Sequence, residues 1–383
     1  MKLRGILAGV LSLAVAAGIT ACQTRDALPE LLPIRDIPST ELIKEIKAGW
    51  NLGNALDATG GEGLNSEVSW GNPKTTFEMI KAVGEAGFDA VRVPVSWGKH
   101  TGEAPGYEID SAWLDRVEEV AGYVLDNGMY CIINTHHEDW LFPDAENEER
   151  NTERLVAVWK QISERFAGYD EKLIFEGMNE PRLRGTPYEW NGGTEESRAA
   201  VNRLNAAFVK TVRESGGNNA KRHLMITPYA ASADRLNDDQ WIFETLEIPE
   251  NDDKLIVSVH AYKPYGFALN ERGGAKWSSE KENGRLPIDE LFEAIKETFL
   301  DGGVAVIIGE TGARNKEHLS ENNLEYRVDW AGYYFGKGRE YGVPCFWWDN
   351  GAFTGGGELF GIFDRRGLNW YFPEIKDAIF GKR

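Results

Sequence analysis

The chain has 383 residues, 42% of them hydrophobic, and a formal net charge of −19 from 61 Asp and Glu against 42 Lys and Arg. That charge excludes nucleic acid or a bare anionic membrane surface as a partner, because both repel the chain, whereas a neutral polymer meets no such barrier. The hydrophobic share is that of an ordinary globular core, and once an export segment is removed the length suits one large domain.

The N-terminus reads as that export segment. Lys2 and Arg4 precede an apolar stretch over 5–19, and Ile19-Thr20-Ala21-Cys22 closes it with small residues ahead of a cysteine. This is the charged, hydrophobic and small-residue order of a signal peptide, and the stretch is too short and too rich in Gly and Ala for a retained anchor. Residues 1–21 are read as a lipoprotein signal peptide and Cys22 as the lipidation site, as in bacterial lipoproteins. Residues 22–41, with Pro29, Pro33 and Pro38, are read as a tether and 42–383 as one catalytic domain. The protein is then exported to the outer membrane or cell surface, touching the membrane only through a lipid on Cys22, and a monomer is the default.

From residue 48 onward strand-like runs alternate with amphipathic stretches. Strands are predicted at 48–54, 90–95, 130–135, 173–177, 223–227, 255–260, 304–309 and 343–348, and helices at 111–126, 152–166, 195–214, 288–300 and 324–338. Interleaved strands and helices imply βα units around a parallel sheet. A doubly wound sheet announces a Gly-rich phosphate turn after its first strand, and Asn51-Leu52-Gly53-Asn54-Ala55-Leu56 lacks that spacing. Eight strands over this length predict a closed (β/α)8 TIM barrel, with its active site at the strand C-termini. Cys131 and Cys345 fall within separate strands and are expected to be buried thiols outside any disulfide. The charged run 146–150 reads as a solvated loop.

Two acids end buried strands: Glu180 in Gly177-Met178-Asn179-Glu180-Pro181, and Glu310 in Ile308-Gly309-Glu310. Pro181 holds the residue before it in extended geometry. Two carboxyls facing one pocket suit glycoside hydrolysis, which needs one acid protonated and one ionised. Arg92 interrupts an otherwise apolar strand, and a buried guanidinium requires a carboxylate, which a glutamate nucleophile supplies. His136, His137 and His260 end predicted strands, half of the six histidines. A zinc site from His136, His137, Glu138, Asp139 and His260 is the alternative; adjacent strand residues face opposite ways and paired carboxylates need no metal, so no metal or other cofactor is expected. Thirteen tryptophans are many for this length. Trp70, Trp97, Trp140, Trp190, Trp241, Trp277, Trp347 and Trp348 sit near strand ends and loops; a few are expected to stack on sugar and the rest to pack.

These motifs resemble glycoside hydrolase family 5, and within it the endo-β-glucanases of subfamily 4, over residues 42–383. The carriers are Gly49-Trp50-Asn51-Leu52-Gly53-Asn54, Val91-Arg92-Val93-Pro94-Val95-Ser96-Trp97, Ile133-Asn134-Thr135-His136-His137-Glu138, Phe175-Glu176-Gly177-Met178-Asn179-Glu180-Pro181-Arg182, Val259-His260-Ala261-Tyr262, Gly309-Glu310-Thr311-Gly312 and Trp347-Trp348-Asp349-Asn350-Gly351. The resemblance implies a retaining endo-β-1,4-glucanase with Glu180 as acid/base and Glu310 as nucleophile. It also implies Asn179 on the sugar 2-hydroxyl, His260 beside the acid/base, Tyr262 and Arg92 beside the nucleophile, and Asn54, His136 and His137 toward substrate. Trp347 is the expected stacking platform, with Trp348 its rival. The substrate is a β-glucan, whether cellulose-type, mixed-linkage or xyloglucan, with the loops 262–285 and 354–359 shaping any side pockets. A β-mannanase of the same fold and a non-catalytic glycan-binding lipoprotein are the competing readings.

Overall fold

The computed structural model describes residues 31–382. Cys22 and the stretch read as a signal peptide lie outside the described residues. Eight parallel strands close a barrel in sequence order: β1 (Gly49–Leu52), β2 (Ala90–Val93), β3 (Tyr130–Asn134), β4 (Leu173–Glu176), β5 (Leu224–Ile226), β6 (Leu255–His260), β7 (Ala305–Thr311) and β8 (Cys345–Asp349). All eight predicted strands are present, most of them shorter than the runs that announced them. Every residue in them is buried, as expected where barrel interior and helical ring cover both faces. The β1–β8 register, Gly49 opposite Phe346 and Trp50 opposite Trp347, closes the ring.

The outer layer is α1 (Phe77–Ala86), α2 (Ser111–Asp126), α3 (Glu148–Arg165), α4 (Glu195–Glu214), α5 (Glu282–Thr298), α6 (Asn323–Tyr341) and α7 (Pro373–Ile379). Their ends follow local chemistry. Thr76 caps α1 by accepting from the Met79 N–H, and Gly87 ends it at φ 112°, a left-handed geometry that favours glycine. Thr194 and Ser197 form a reciprocal capping box on α4. The run 146–150 is not a loop throughout: Glu148, Glu149 and Arg150 open α3, where acidic residues meet the positive end of the helix dipole. Between β5 and β6 the connection holds short 3₁₀ turns and a small hairpin, Arg235–Asn237 with Gln240–Trp241.

The barrel interior is filled by Ala90, Tyr130, Ile132, Ile174, Met225, Ile256, Ala305, Ile307 and Phe346, and Leu42, Ile43 and Ile46 plug its floor. The last part of the stretch read as a tether lies against that floor. Arg35 pairs with Glu45 and Glu171, Asp36 with Lys221 and Lys254, and Ser39 Oγ meets His223 Nδ1 at 2.8 Å. The opposite mouth is left for chemistry. Cys131 and Cys345 are buried free thiols, and among the described residues no helix is long and apolar enough to cross a membrane.

Candidate active site

The C-terminal ends of the strands carry the polar residues that the barrel cannot bury among hydrocarbon. Arg92, on β2, is fully buried and reaches four partners. Its Nε donates to Glu176 at 2.7 Å, Nη1 to Glu310 at 2.7 Å and to Asn51 at 3.0 Å, and Nη2 to Asn179 at 2.7 Å. Burial pulls the guanidinium pKa down, but the charges of Glu176 and Glu310 outweigh it and raise it, so Arg92 stays a fixed cation. Glu176 is bound in turn by Ser258 Oγ at 2.6 Å and Asn134 Nδ2 at 2.8 Å. Sequence reasoning gave Arg92 only one carboxylate. Glu176 is the second, and its signal was a lone acid in the buried run before Gly177.

Glu310, next to last in β7, has both oxygens engaged, one by Arg92 and the other by the Tyr262 hydroxyl at 3.0 Å. Burial and the neighbouring Glu310 charge push the Tyr262 pKa well above its ordinary value, so the phenol keeps its proton and donates. Glu180 Oε1 lies 2.8 Å from His260 Nδ1, while Oε2 lies 3.4 Å from Arg182. His260 also stands 3.7 Å from Glu310. Burial raises the Glu180 pKa, but the His260 hydrogen bond and the His260 and Arg182 charges outweigh it and leave it lowered. Burial lowers His260, and the charges of Glu310 and Glu180 reverse that and raise it. The pair thus holds one proton along a short line between ring and carboxyl. One oxygen of Glu180 and one of Glu310 lie within 4.8 Å of each other.

His136 is buried and its ring lies parallel to Trp348 with centroids 5.9 Å apart. Burial and the neighbouring His137, Arg92 and His260 charges push its pKa well below the ordinary value, so it is a neutral ring at this site. His137 is partly exposed and 3.9 Å from the buried Asp57. The two histidines do not face opposite ways: they lie past the end of β3, and their rings meet edge to face at 4.4 Å. Asn54 sits after β1 at φ 55°, its N–H donating to Asp57 and its carbonyl accepting from Asn72.

Trp347 is not the platform. It is wholly buried, donates its Nε1–H to the Phe360 carbonyl, and packs against Trp330 and Phe335 of α6, on the outer side of the barrel. Alternation along β8 turns Trp348 inward with Phe346, over Gly53, where an added Cβ would come within 2.8 Å of the indole. Of the other tryptophans, Trp97, Trp241 and Trp277 are buried, whereas Trp70 and Trp190 are exposed at 42% and 59%.

The zinc constellation does not assemble. Glu138 accepts from the Trp97 N–H and the Trp140 indole, and Asp139 points outward to Arg184. Asp57, His136 and His137 do cluster, as do Glu180, His260 and Glu310. Asp57 already accepts the N–H groups of Asn54 and Ala55, and beside the second trio the Arg92 guanidinium supplies the positive charge a metal would bring.

Residues 55–354 match the model of the cellulases, glycosyl hydrolase family 5. The chain is 49% identical over 356 residues to "Endoglucanase A" of Ruminococcus albus, covering 90% of this chain and 93% of that protein. Among solved structures it is similar to a GH5-4 broad specificity endoglucanase from Ruminococcus champanellensis with bound cellotriose, at TM-score 0.84 and 46% identity over 91% of this chain and 99% of that one. It is also similar to a xyloglucan-specific endo-β-1,4-glucanase from a metagenomic library, in complex with cellotriose, at TM-score 0.83 and 44% identity over 89% and 98%. Fold, motif order and full-length similarity agree: the chain belongs to glycosyl hydrolase family 5, among the GH5-4 endoglucanases, and is a glycoside hydrolase.

Proposed function

We propose that the protein is a retaining endo-β-1,4-glucanase acting on β-glucan by double displacement. The observation that carries this is the approach of Glu180 and Glu310 to within 4.8 Å. Retaining enzymes hold their two carboxyls about 5–5.5 Å apart, whereas inverting enzymes leave about 6.5–9.5 Å for a water between them.

Glu310 is the nucleophile. Arg92 and Tyr262 fix both of its oxygens, so it meets the anomeric carbon already oriented. Glu180 is the acid/base, and His260 is its proton reservoir. In the free cleft the shared proton favours His260 Nδ1. A glycosidic oxygen arriving at Glu180 and expelling water draws the proton along the 2.8 Å hydrogen bond to the carboxyl, which then delivers it to the leaving oxygen. In the second step Glu180 takes a proton from water, which attacks the glycosyl–Glu310 ester and restores the configuration. Asn179, held by Arg92, is placed for the 2-hydroxyl, with His136 and Trp348 as the flanking wall of the sugar site and His137 and Asn54 at its rim. A monomer is part of the same proposal. Export as a lipoprotein acylated at Cys22 is part of the same proposal and suits an enzyme whose substrate is an extracellular polymer.

Reducing-sugar release from mixed-linkage β-glucan, carboxymethyl-cellulose, xyloglucan and mannan tests the reading, with Glu180→Gln and Glu310→Gln alongside. Activity on the glucans that is lost in both variants is expected. Mannan as the preferred polymer, or undiminished activity in either variant, would overturn it.

A further inference from the structure

The connection from β4 to α4 brings a second cation up to the acid/base. Arg182 Nη1 donates to the Glu180 carbonyl at 3.0 Å and reaches Glu180 Oε2 at 3.4 Å. On its other side Arg182 Nε donates to Glu189 at 3.0 Å, and the Trp190 ring centre lies 4.2 Å from the guanidinium carbon. Glu189 is held in turn by the Gly185 N–H at 2.9 Å, which together with Arg182 keeps its pKa below the ordinary carboxylate value. Arg184, the other cation near Glu189, is itself paired with Asp139. Glu189 and Trp190 have no part in the hydrolysis.

An acid/base meets two opposed demands. Glu180 must carry a proton when the glycosidic bond breaks and be ionised when water attacks. His260 serves the first by lending the proton. A cation beside the carboxyl serves the second because it favours the charged form, but at full strength it would keep Glu180 from taking the proton at all. The geometry around Arg182 moderates it. The contact with Oε2 is longer than the ~2.7–2.9 Å of a full charge-assisted bond, and the Glu189 carboxylate offsets the guanidinium charge from the far side. Trp190, 59% exposed, covers the guanidinium with its ring and holds it between the two acids.

We propose that Arg182 is a positioning residue divided between two carboxylates: it steadies Glu180 once the proton has gone to the leaving oxygen, while Glu189 keeps that pull weak enough for Glu180 to be protonated first. The inference rests on the glucanase reading of the cleft. Glu180 also feels His260 at the end of β6, Tyr262 just beyond it, Glu310 of β7, His137 beyond β3 and Glu358 after β8. Those groups are common to every variant below, so a change in pH dependence reports the Arg182–Glu189 balance.

The test is the pH profile of kcat/KM on mixed-linkage β-glucan. Arg182→Gln removes the cation, so the pair of Glu180 and His260 should keep its proton to higher pH and the alkaline limb should rise by about one pH unit. Glu189→Gln keeps an oxygen for Arg182 but removes the offsetting charge, and the limb should fall by about half a pH unit. Arg182→Lys retains the charge and should leave the limb nearer the wild type than Arg182→Gln does. A loop that had merely lost its shape would lower kcat/KM at every pH and leave the limb in place. A limb unmoved in Arg182→Gln, or displaced in the same direction in Arg182→Gln and Glu189→Gln, would overturn the divided role of Arg182 and leave the glucanase reading standing. A wild-type protein that does not cleave the polymer, or a Glu180→Gln variant that cleaves it undiminished, would overturn the glucanase reading itself.

Discussion

Replacing Glu176 is predicted to unsettle the site from beneath. Arg92 and Glu176 are both wholly buried, joined at 2.7 Å, and Glu176 also accepts from Ser258 and Asn134. In Glu176→Ala the guanidinium keeps Glu310 as its single anionic partner and two further donors lose their acceptor. Breaking a buried pair from one side costs about 3–5 kcal/mol. With an unfolding entropy of about 2.1 cal/mol/K per residue, a body of roughly 350 residues loses about 4–7 °C in Tm for that amount. Glu176→Gln keeps an oxygen for Arg92 and Asn134 and turns its amide toward Ser258 Oγ, which can accept; its cost is about 1–2 kcal/mol, or roughly 1–3 °C. Thermal unfolding followed by circular dichroism reads both values. An alanine variant that melts with the wild type, or a glutamine variant that falls as far as alanine, would refute the claim that Glu176 holds the cation.

Tyr262→Phe removes one hydrogen bond to Glu310 and is expected to lower kcat by about 10–100-fold with the melting temperature little changed; a kcat equal to wild type would remove Tyr262 from the mechanism. The Glu180–His260 pair should give kcat/KM a falling alkaline limb above pH ~6.5, the ordinary histidine value, because His260 is raised and activity ends when the pair loses its proton. In His260→Gln that limb should move to lower pH, and a limb that stays in place would assign it elsewhere. For stability the signs differ within the pair: the raised His260 contributes below its unfolded pKa and loses this as pH rises through its folded pKa. The lowered Glu180 contributes above its unfolded pKa and loses this as pH falls through its folded pKa. The melting difference between wild type and His260→Gln should therefore peak at about pH 4.5–6.5. Trp347→Ala should cost about 3–5 kcal/mol of stability by opening the core beside α6, while Trp348→Ala should spare more of the fold and raise KM; the reverse pattern in melting and kinetics would restore Trp347 as the platform.

The barrel was legible because each strand is a short run buried on both faces and bounded by turn chemistry, and no other period competes with it. Helix starts were less so: α5 begins at Glu282 and carries Pro287 inside, so a reading from apolar spacing picks it up only near Ile288. Glu180, Glu310 and His260 were found from their places at strand ends, Arg92 as a charge inside an apolar strand, and Asn179 and Tyr262 only through the family resemblance; the structure brings all six into one cluster. Glu176 was passed over because a strand pattern absorbs a terminal acid, although Arg92 on β2, with β3 between, called for a partner. The choice between Trp347 and Trp348 turned on which face of β8 looks inward. Two adjacent tryptophans carry no such information, and the register shift between Cys345 and Trp347 against β7 adds to the ambiguity.

The central claim, that Glu310 and Glu180 act as nucleophile and acid/base of a retaining enzyme, is tested most directly by proton NMR of the first sugar released from a soluble β-glucan, before mutarotation. The account predicts that the new reducing end appears first as the β anomer and only later equilibrates. A first-formed α anomer would mean inversion and would contradict the two-step displacement through Glu310.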